Sequence, residues 1–209
     1  MFDRGTQSDP RLDLAFDYLG YLGTPTRTAE QIKKELYELA CYQRLSCGPT
    51  QSSIGVSGLD KNVGKAMDIV EDLIFNAQPD TAILAGLKSD IFKSRSDSKL
   101  SQRACFSALQ KYLFYGPEFI RNTTLTNEQI AALTSDELLQ AVRDLYTKRH
   151  DILYYGPSDE TTAKNMIAEH HKISENPEPL ERIHPQARQV TSSEVFIAPY
   201  AVSYTHLRA

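Results

Sequence analysis

Leu14-Ala15-Phe16-Asp17-Tyr18-Leu19-Gly20-Tyr21-Leu22-Gly23-Thr24 is the stretch on which the reading of this 209-residue chain turns. Leu12, Phe16, Leu19 and Leu22 recur at spacings of three and four, so residues 10–22 read as an amphipathic helix that Gly23 stops. Upstream, Phe2-Asp3-Arg4-Gly5 reads as the end of a strand entering a turn, with its earlier part missing. Met1 to Gly5 holds no apolar run of the kind a signal peptide needs.

Downstream, Thr28-Ala29-Glu30-Gln31 is a capping box ahead of an apolar face of Ile32, Leu36, Leu39 and Ala40. Residues 42–58 lose the helical period and read as a hairpin, one strand near Tyr42 to Ser46 and one through Ile54 and Val56, joined across Gly48-Pro49. Asp60 is placed to cap a helix with Val63, Met67, Val70 and Ile74 on one face. Pro79 suits the first turn of the next helix, which carries Ile83, Leu84, Leu87, Ile91 and Phe92. A further helix with Leu100, Ala104, Ala108, Leu109 and Tyr112 ends at Gly116-Pro117. Capping boxes at Thr126 and Thr134 open two more, the second with Leu138, Val142 and Leu145. Asp151-Ile152-Leu153-Tyr154-Tyr155 reads as a strand stopped by Gly156-Pro157, and residues 159–172 as a helix. Three prolines among polar residues make 174–190 a linker, and Glu194 to Ala198 looks like the start of another strand. This order argues for an α+β fold, an antiparallel sheet with helices packed on one face.

Composition narrows the function classes. Twenty-three Lys and Arg against 27 Asp and Glu give a net charge of −4, without the basic excess of a nucleic-acid binder. No apolar run approaches the ~18 residues that span a membrane. Three cysteines, Cys41, Cys47 and Cys105, are too few for a disulfide scaffold and lack zinc-ribbon spacing. A Cys41–Cys47 bridge stays open, as does the redox state of all three; Cys105, beside Ala104 and Ala108, reads as a buried inert thiol.

Nucleotide and nucleophile signatures are absent: there is no P-loop, no G-x-G-x-x-G and no G-x-S-x-G. Met166-Ile167-Ala168-Glu169-His170 would be an inverted zincin helix only with histidine in place of Met166, so His170 and His171 read as a solvated helix end. Glu71-Asp72 and Asp159-Glu160 read as carboxylates facing water near helix ends.

The opening stretch resembles the first helix of the M16 (pitrilysin/insulinase) metallopeptidases. There, a helix bearing H-x-x-E-H runs into an aromatic-apolar-Gly-Thr ending. With Leu22-Gly23-Thr24 aligned on that ending, Leu14 stands at the first zinc histidine, Asp17 at the general-base glutamate and Tyr18 at the second histidine. The order of later pieces is also similar to one such domain. These are Lys33-Lys34-Glu35-Leu36-Tyr37, the hairpin, Val56-Ser57-Gly58-Leu59 before a long helix, Phe114-Tyr115-Gly116-Pro117, Leu133-Thr134-Ser135-Asp136-Glu137-Leu138 and Ile152-Leu153-Tyr154-Tyr155-Gly156-Pro157. The counterpart of the third ligand, a glutamate on a later helix, falls nearest Asp90.

The resemblance implies an M16 metallopeptidase (LuxS-like) domain over 1–173, the linker 174–190, and a truncated next subdomain over 191–209, of which 201–209 resembles translated adapter sequence. It also implies departure from catalysis. Zinc hydrolysis needs two imidazoles, a carboxylate ligand and a carboxylate base. Leu14 has no lone pair, Tyr18 is a poor ligand at neutral pH, and Asp17 is one methylene shorter than glutamate. The chain therefore resembles part of the non-catalytic second half of a zinc metalloendopeptidase. It would enclose the peptide chamber and be inactive alone, with no cofactor in this segment and zinc in the N-terminal catalytic half, on the same chain or a separate subunit. The alternative is a catalytically inactive M16 paralogue that serves an active partner as a binding subunit. The expected partners are that half and the peptide substrate, with no nucleic acid and no membrane span.

Overall fold

Tertiary packing joins most of the predicted helices to the sheet through one hydrophobic core. The computed structural model describes residues 1–179 and 183–198. Among these, the elements run α1 (Leu12–Leu19), α2 (Ala29–Glu38), β1 (Cys41–Cys47), β2 (Ser52–Gly58), α3 (Asp60–Asn76), α4 (Thr81–Ser98), α5 (Gln102–Thr123), α6 (Asn127–Ala132), α7 (Ser135–Leu145) and α8 (Glu160–His170). β1 and β2 form a two-stranded antiparallel sheet, with Cys41 opposite Gly58 and Cys47 opposite Ser52. Helices back the sheet, in keeping with the α+β reading.

Six of the eight residues of α1 are buried, which makes it a central helix rather than a surface one. It packs against α7, β1 and α4, while α3 meets the sheet, α7 and α8. Leu12, Phe16 and Leu19 of α1, Leu73 and Ile74 of α3, and Leu138, Val142 and Leu145 of α7 form the middle of the core. The three capping boxes are all made: Thr28 with Gln31, Thr126 with Gln129 and Thr134 with Glu137. Each satisfies two backbone donors that a helix start leaves without intrahelical partners. Gly23 is required by a close approach, since a Cβ there would stand 2.5 Å from the Arg27 carbonyl oxygen.

Several expectations change. Asp151 to Tyr155 forms no strand among the described residues, because a ladder needs a neighbour and only Asp151 has one, Met1. Glu194 to Ala198 forms no ladder either. Asp60 is the first residue of α3 rather than its cap, and its carboxylate accepts from Tyr154 Oη (2.6 Å) and Ser158 Oγ (2.7 Å). Asp80 is the N-cap of α4, so Pro79 lies just outside the helix; the Asp80 carboxylate accepts from Ala82 N and Ile83 N. One expectation holds inside α5: the helix that opens after Ser101 ends at Gly116, which leaves helical geometry at a left-handed φ of 77° that suits glycine, and a second helical stretch starts at Pro117. Cys41 and Cys47 stand at opposite ends of a seven-residue strand, roughly 20 Å apart, beyond any disulfide, and both are free thiols. Cys105 is only half-buried, Ala108 and Tyr112 on its face of α5 are exposed, and Leu100, which lies ahead of the helix, is exposed too. A periodic stripe marks a face, not what covers it.

Residues 174–179 fold back along the segment after α7. Arg149 N donates to the Glu178 carbonyl (2.8 Å) and Glu178 N to that of Thr147 (3.0 Å). Residues 199–209, including the adapter-like 201–209, lie outside the described residues.

Phe16 is 3% exposed at the centre of this packing. Phe16→Ala is expected to cost about 3–5 kcal/mol, and Tyr37→Ala, on the exposed face of α2, less than ~0.5 kcal/mol. Denaturant melts of the two variants beside the parent check this.

Candidate functional site

α1 carries three of the predicted site residues, Leu14, Asp17 and Tyr18, and its two faces treat them differently. Leu14 is buried at 6% exposure and lines a cleft of about 370 Å³. Asp13 and Asp17, one turn apart, line the same cleft from α1, with Ile91 and Arg95 from α4, Lys111 from α5 and Cys47 at the end of β1. Cleft walls strip water from both carboxylates and push their pKa values up, and the charge of Asp13 raises Asp17 further. Burial likewise pushes the Cys47 thiol up, which keeps it protonated and unreactive.

Tyr18 points the other way. It is fully buried, and its hydroxyl both donates to the Asp80 carbonyl (2.9 Å) and accepts from Asp80 N (2.7 Å). A buried phenol must find hydrogen-bond partners, and here the partners are the backbone that starts α4. Asp90 lies on the exposed side of α4, in a shallow depression with Lys93 and Asp97, away from the α1 cleft. The structure thus brings Leu14 and Asp17 into one cleft and leaves Tyr18 and Asp90 outside it.

A second polar cluster has no signature in the sequence. His150 follows α7 and His171 ends α8, with their Nε2 atoms 2.8 Å apart. His150 Nδ1 donates to the Lys148 carbonyl (2.9 Å), which leaves its Nε2 to accept from His171. His171 Nδ1 lies 2.7 Å from Glu71 Oε1, and Glu71 is 7% exposed. The neighbouring His170 meets Asp68 across α3 at 2.8 Å. These histidines are not a solvated helix end, and Glu71 does not face water. Packing α8 on α3 turns both inward, and the 21-position separation of the two imidazoles hides the pairing from any local pattern. Asp72 is also engaged, with Arg27 Nη1 at 2.8 Å and Thr24 Oγ1 at 3.2 Å. Burial, then the adjacent Glu71, hold the Tyr146 hydroxyl far above the usual phenol range. Burial depresses the pKa of His150, with the facing His171 and the amino terminus acting the same way and the Lys148 carbonyl and Glu71 opposing.

No profile of a known protein family matches the chain, and no characterised protein matches it in sequence. Solved structures do match in fold. The chain is similar to the periplasmic protease PqqL from Escherichia coli, with a TM-score of 0.70 and 18% identity over 93% of this chain and 22% of that one. It is similar to the ferredoxin protease FusC in complex with Arabidopsis ferredoxin, at 0.68 and 10% identity over 90% of this chain and 21% of that one. It is similar to a peptidase M16 inactive domain from Pseudomonas fluorescens, at 0.55 and 13% identity over 70% of this chain and 36% of that one. The chain spans about a fifth of the length of the first two. The fold is that of an M16-type peptidase domain.

Two predictions follow from the geometry. Tyr18→Phe leaves the Asp80 amide without its acceptor and is expected to cost about 1–3 kcal/mol, while Tyr21→Phe, more than half exposed, is neutral by the same thermal melt. His150 has a folded pKa below its unfolded value near ~6.5, so the unfolded chain takes up the proton first. Its contribution to stability is full above that pH and is lost as pH falls through it. Melts at pH 7.5, 6.5 and 5.5 are expected to show a falling midpoint, with a shallower fall in His150→Gln.

Proposed function

We propose that this chain is part of the non-catalytic half of an M16-type zinc metalloendopeptidase, where it helps enclose the chamber that holds the peptide. The observation that carries this reading is the fate of α1. At the positions where the resemblance puts two zinc imidazoles, Leu14 offers no lone pair, and Tyr18 has turned its hydroxyl into the core and given it to the backbone of Asp80. The zinc that the fold family implies does not fit these residues. Among the described residues, no group of three or more His, Cys, Asp or Glu is placed to hold a metal.

Hydrolysis then belongs to a half that carries H-x-x-E-H, on the same polypeptide or on a separate subunit. What this chain offers a peptide is the α1 cleft, whose rim pairs Asp13 and Asp17 with Arg95 and Lys111. Carboxylates and cations facing one hollow can bind a peptide's own charges and orient it without touching its reacting carbonyl.

The chain alone is expected to retain no zinc after dialysis against micromolar zinc, and to cleave no unstructured peptide. Cleavage is expected only when a half bearing H-x-x-E-H is supplied. One stoichiometric, chelator-sensitive zinc per chain, or hydrolysis by the chain alone, overturns the reading.

A further inference from the structure

Polar contacts pin α8 to α3 at both ends, and little apolar burial lies between them. Of the described residues of α8, Ala163 alone is buried, and the helix packs chiefly on α3. Ahead of α8, Tyr154 Oη and Ser158 Oγ donate to the Asp60 carboxylate at the start of α3. Those bonds hold the Asp60 carboxyl below its usual range, so this tether stays ionised in mild acid. At the far end, a Cβ on Gly64 would stand 2.5 Å from His170 Nε2, so α8 ends directly against the α3 backbone. His171, the next residue, belongs to a hydrogen-bonded run: Lys148 carbonyl, His150, His171, Glu71.

Proton counting defines when that run can exist. The Lys148 carbonyl only accepts, so His150 Nδ1 carries a proton. The two Nε2 atoms, 2.8 Å apart, share one more. His171 Nδ1 and Glu71 Oε1, 2.7 Å apart, share a third, whichever atom it rests on. Three protons on two imidazoles and one carboxylate make the run electrically neutral. That suits His171 and Glu71, whose side chains are 12% and 9% exposed. A fourth proton has no place inside the run. On His150 it sets two N–H groups against each other across the Nε2 contact. On the other Glu71 oxygen, buried and without a hydrogen-bond partner among the described residues, it leaves a positive charge uncompensated. Enclosure opposes a charge on His150 first of all, and His171 and the Met1 amine, with Asp3 and Asp151 near it, add to that. The Lys148 carbonyl and Glu71 favour the charge, but Glu71 is already engaged by His171. Of the other neighbours, Tyr146 stays a neutral phenol, Lys148 pairs with Glu178, and Lys172 lies over the Phe75 ring. His170 pulls the other way, since protonation strengthens its contact with Asp68, but that carboxylate is largely exposed and the pair correspondingly weak.

We propose that the His150–His171–Glu71 run is a proton-operated latch, which holds the end of α8 on α3 while it carries three protons and lets that end go when His150 takes up a fourth. Release is local. The Asp60 tether remains, and α1, α7 and the body of α3 keep their core contacts. What release uncovers is apolar, since Met166 and Ile167 of α8 line one hollow with Val63 and Met67 of α3. Linkage sets the size of the effect. The opened imidazoles titrate near ~6.5, and uptake of one proton on opening raises the opening constant by at most about tenfold for each pH unit below that value. The inference concerns how α8 is mounted and stands apart from the peptidase reading, and its test involves neither zinc nor hydrolysis.

The test is amide hydrogen exchange of the full chain at pH 6.5 and 5.0, read as protection factors corrected for the intrinsic pH dependence of exchange. Protection of Met166, Ile167 and Ala168 in α8 is expected to drop by about 3- to 10-fold more than that of Val142 and Leu145 in α7. In His150→Gln, whose amide oxygen can accept from His171 but takes up no proton, the two helices are expected to track each other. Ring-nitrogen spectra of the unaltered chain at pH 6.5 decide the same point without a variant: His150 is expected to be neutral, with its proton on Nδ1. Parallel loss of protection in α8 and α7, or no loss in α8, overturns the proposal. So does an undiminished α8 response in His150→Gln, or a His150 that is charged or protonated on Nε2 at pH 6.5.

Discussion

Burying α1 on nearly every side leaves the Tyr18 hydroxyl with nowhere to go but the backbone of Asp80, and the rest of the structure follows from that contact. A phenol inside a core must be hydrogen-bonded, and Asp80 supplies both a donor and an acceptor. The same residue caps α4 through its carboxylate, so the contact fixes where α4 begins. α4 then passes its position on. Lys88 Nζ donates to the carbonyls of Ala131 (2.9 Å) and Leu133 (2.7 Å), and Arg95 to the Leu125 carbonyl (2.8 Å) and Asn127 Oδ1 (2.6 Å). These bonds hold α6 at the entrance to α7, which returns to pack on α1.

That closed circuit gives the functional reading its physical content. A helix that carries catalytic zinc ligands must present lone pairs to an open cleft. α1 does face a cleft, and it turns Leu14 there beside two carboxylates whose charge the cleft disfavours. The Tyr18 side chain is given over to the core and holds the start of α4.

Helices whose starts carry local chemistry could be read from residue order alone. Thr28, Thr126 and Thr134 bond as their spacing predicts, because a capping box closes within four residues. The hairpin was legible for the same reason. What could not be read depends on distant partners. Asp151 to Tyr155 has the composition of a strand, yet a strand exists only beside another strand. The stripe of α5 gives a face but not a neighbour. Within the candidate site, Leu14 and Asp17 fall into one cleft as their helix spacing requires, whereas Tyr18 turns inward because of Asp80, 62 residues on. The His150–His171–Glu71 cluster joins three elements and leaves no local trace.

The central claim is that α1 belongs to the cooperative core of the molecule together with α7. Native-state hydrogen exchange of its backbone tests this most directly. The amides of Phe16, Tyr18 and Leu19 are predicted to exchange only through global unfolding, with the same opening free energy as the core of α7. Exchange of α1 through a separate, lower-energy opening, while α3 and α7 stay protected, would contradict the account.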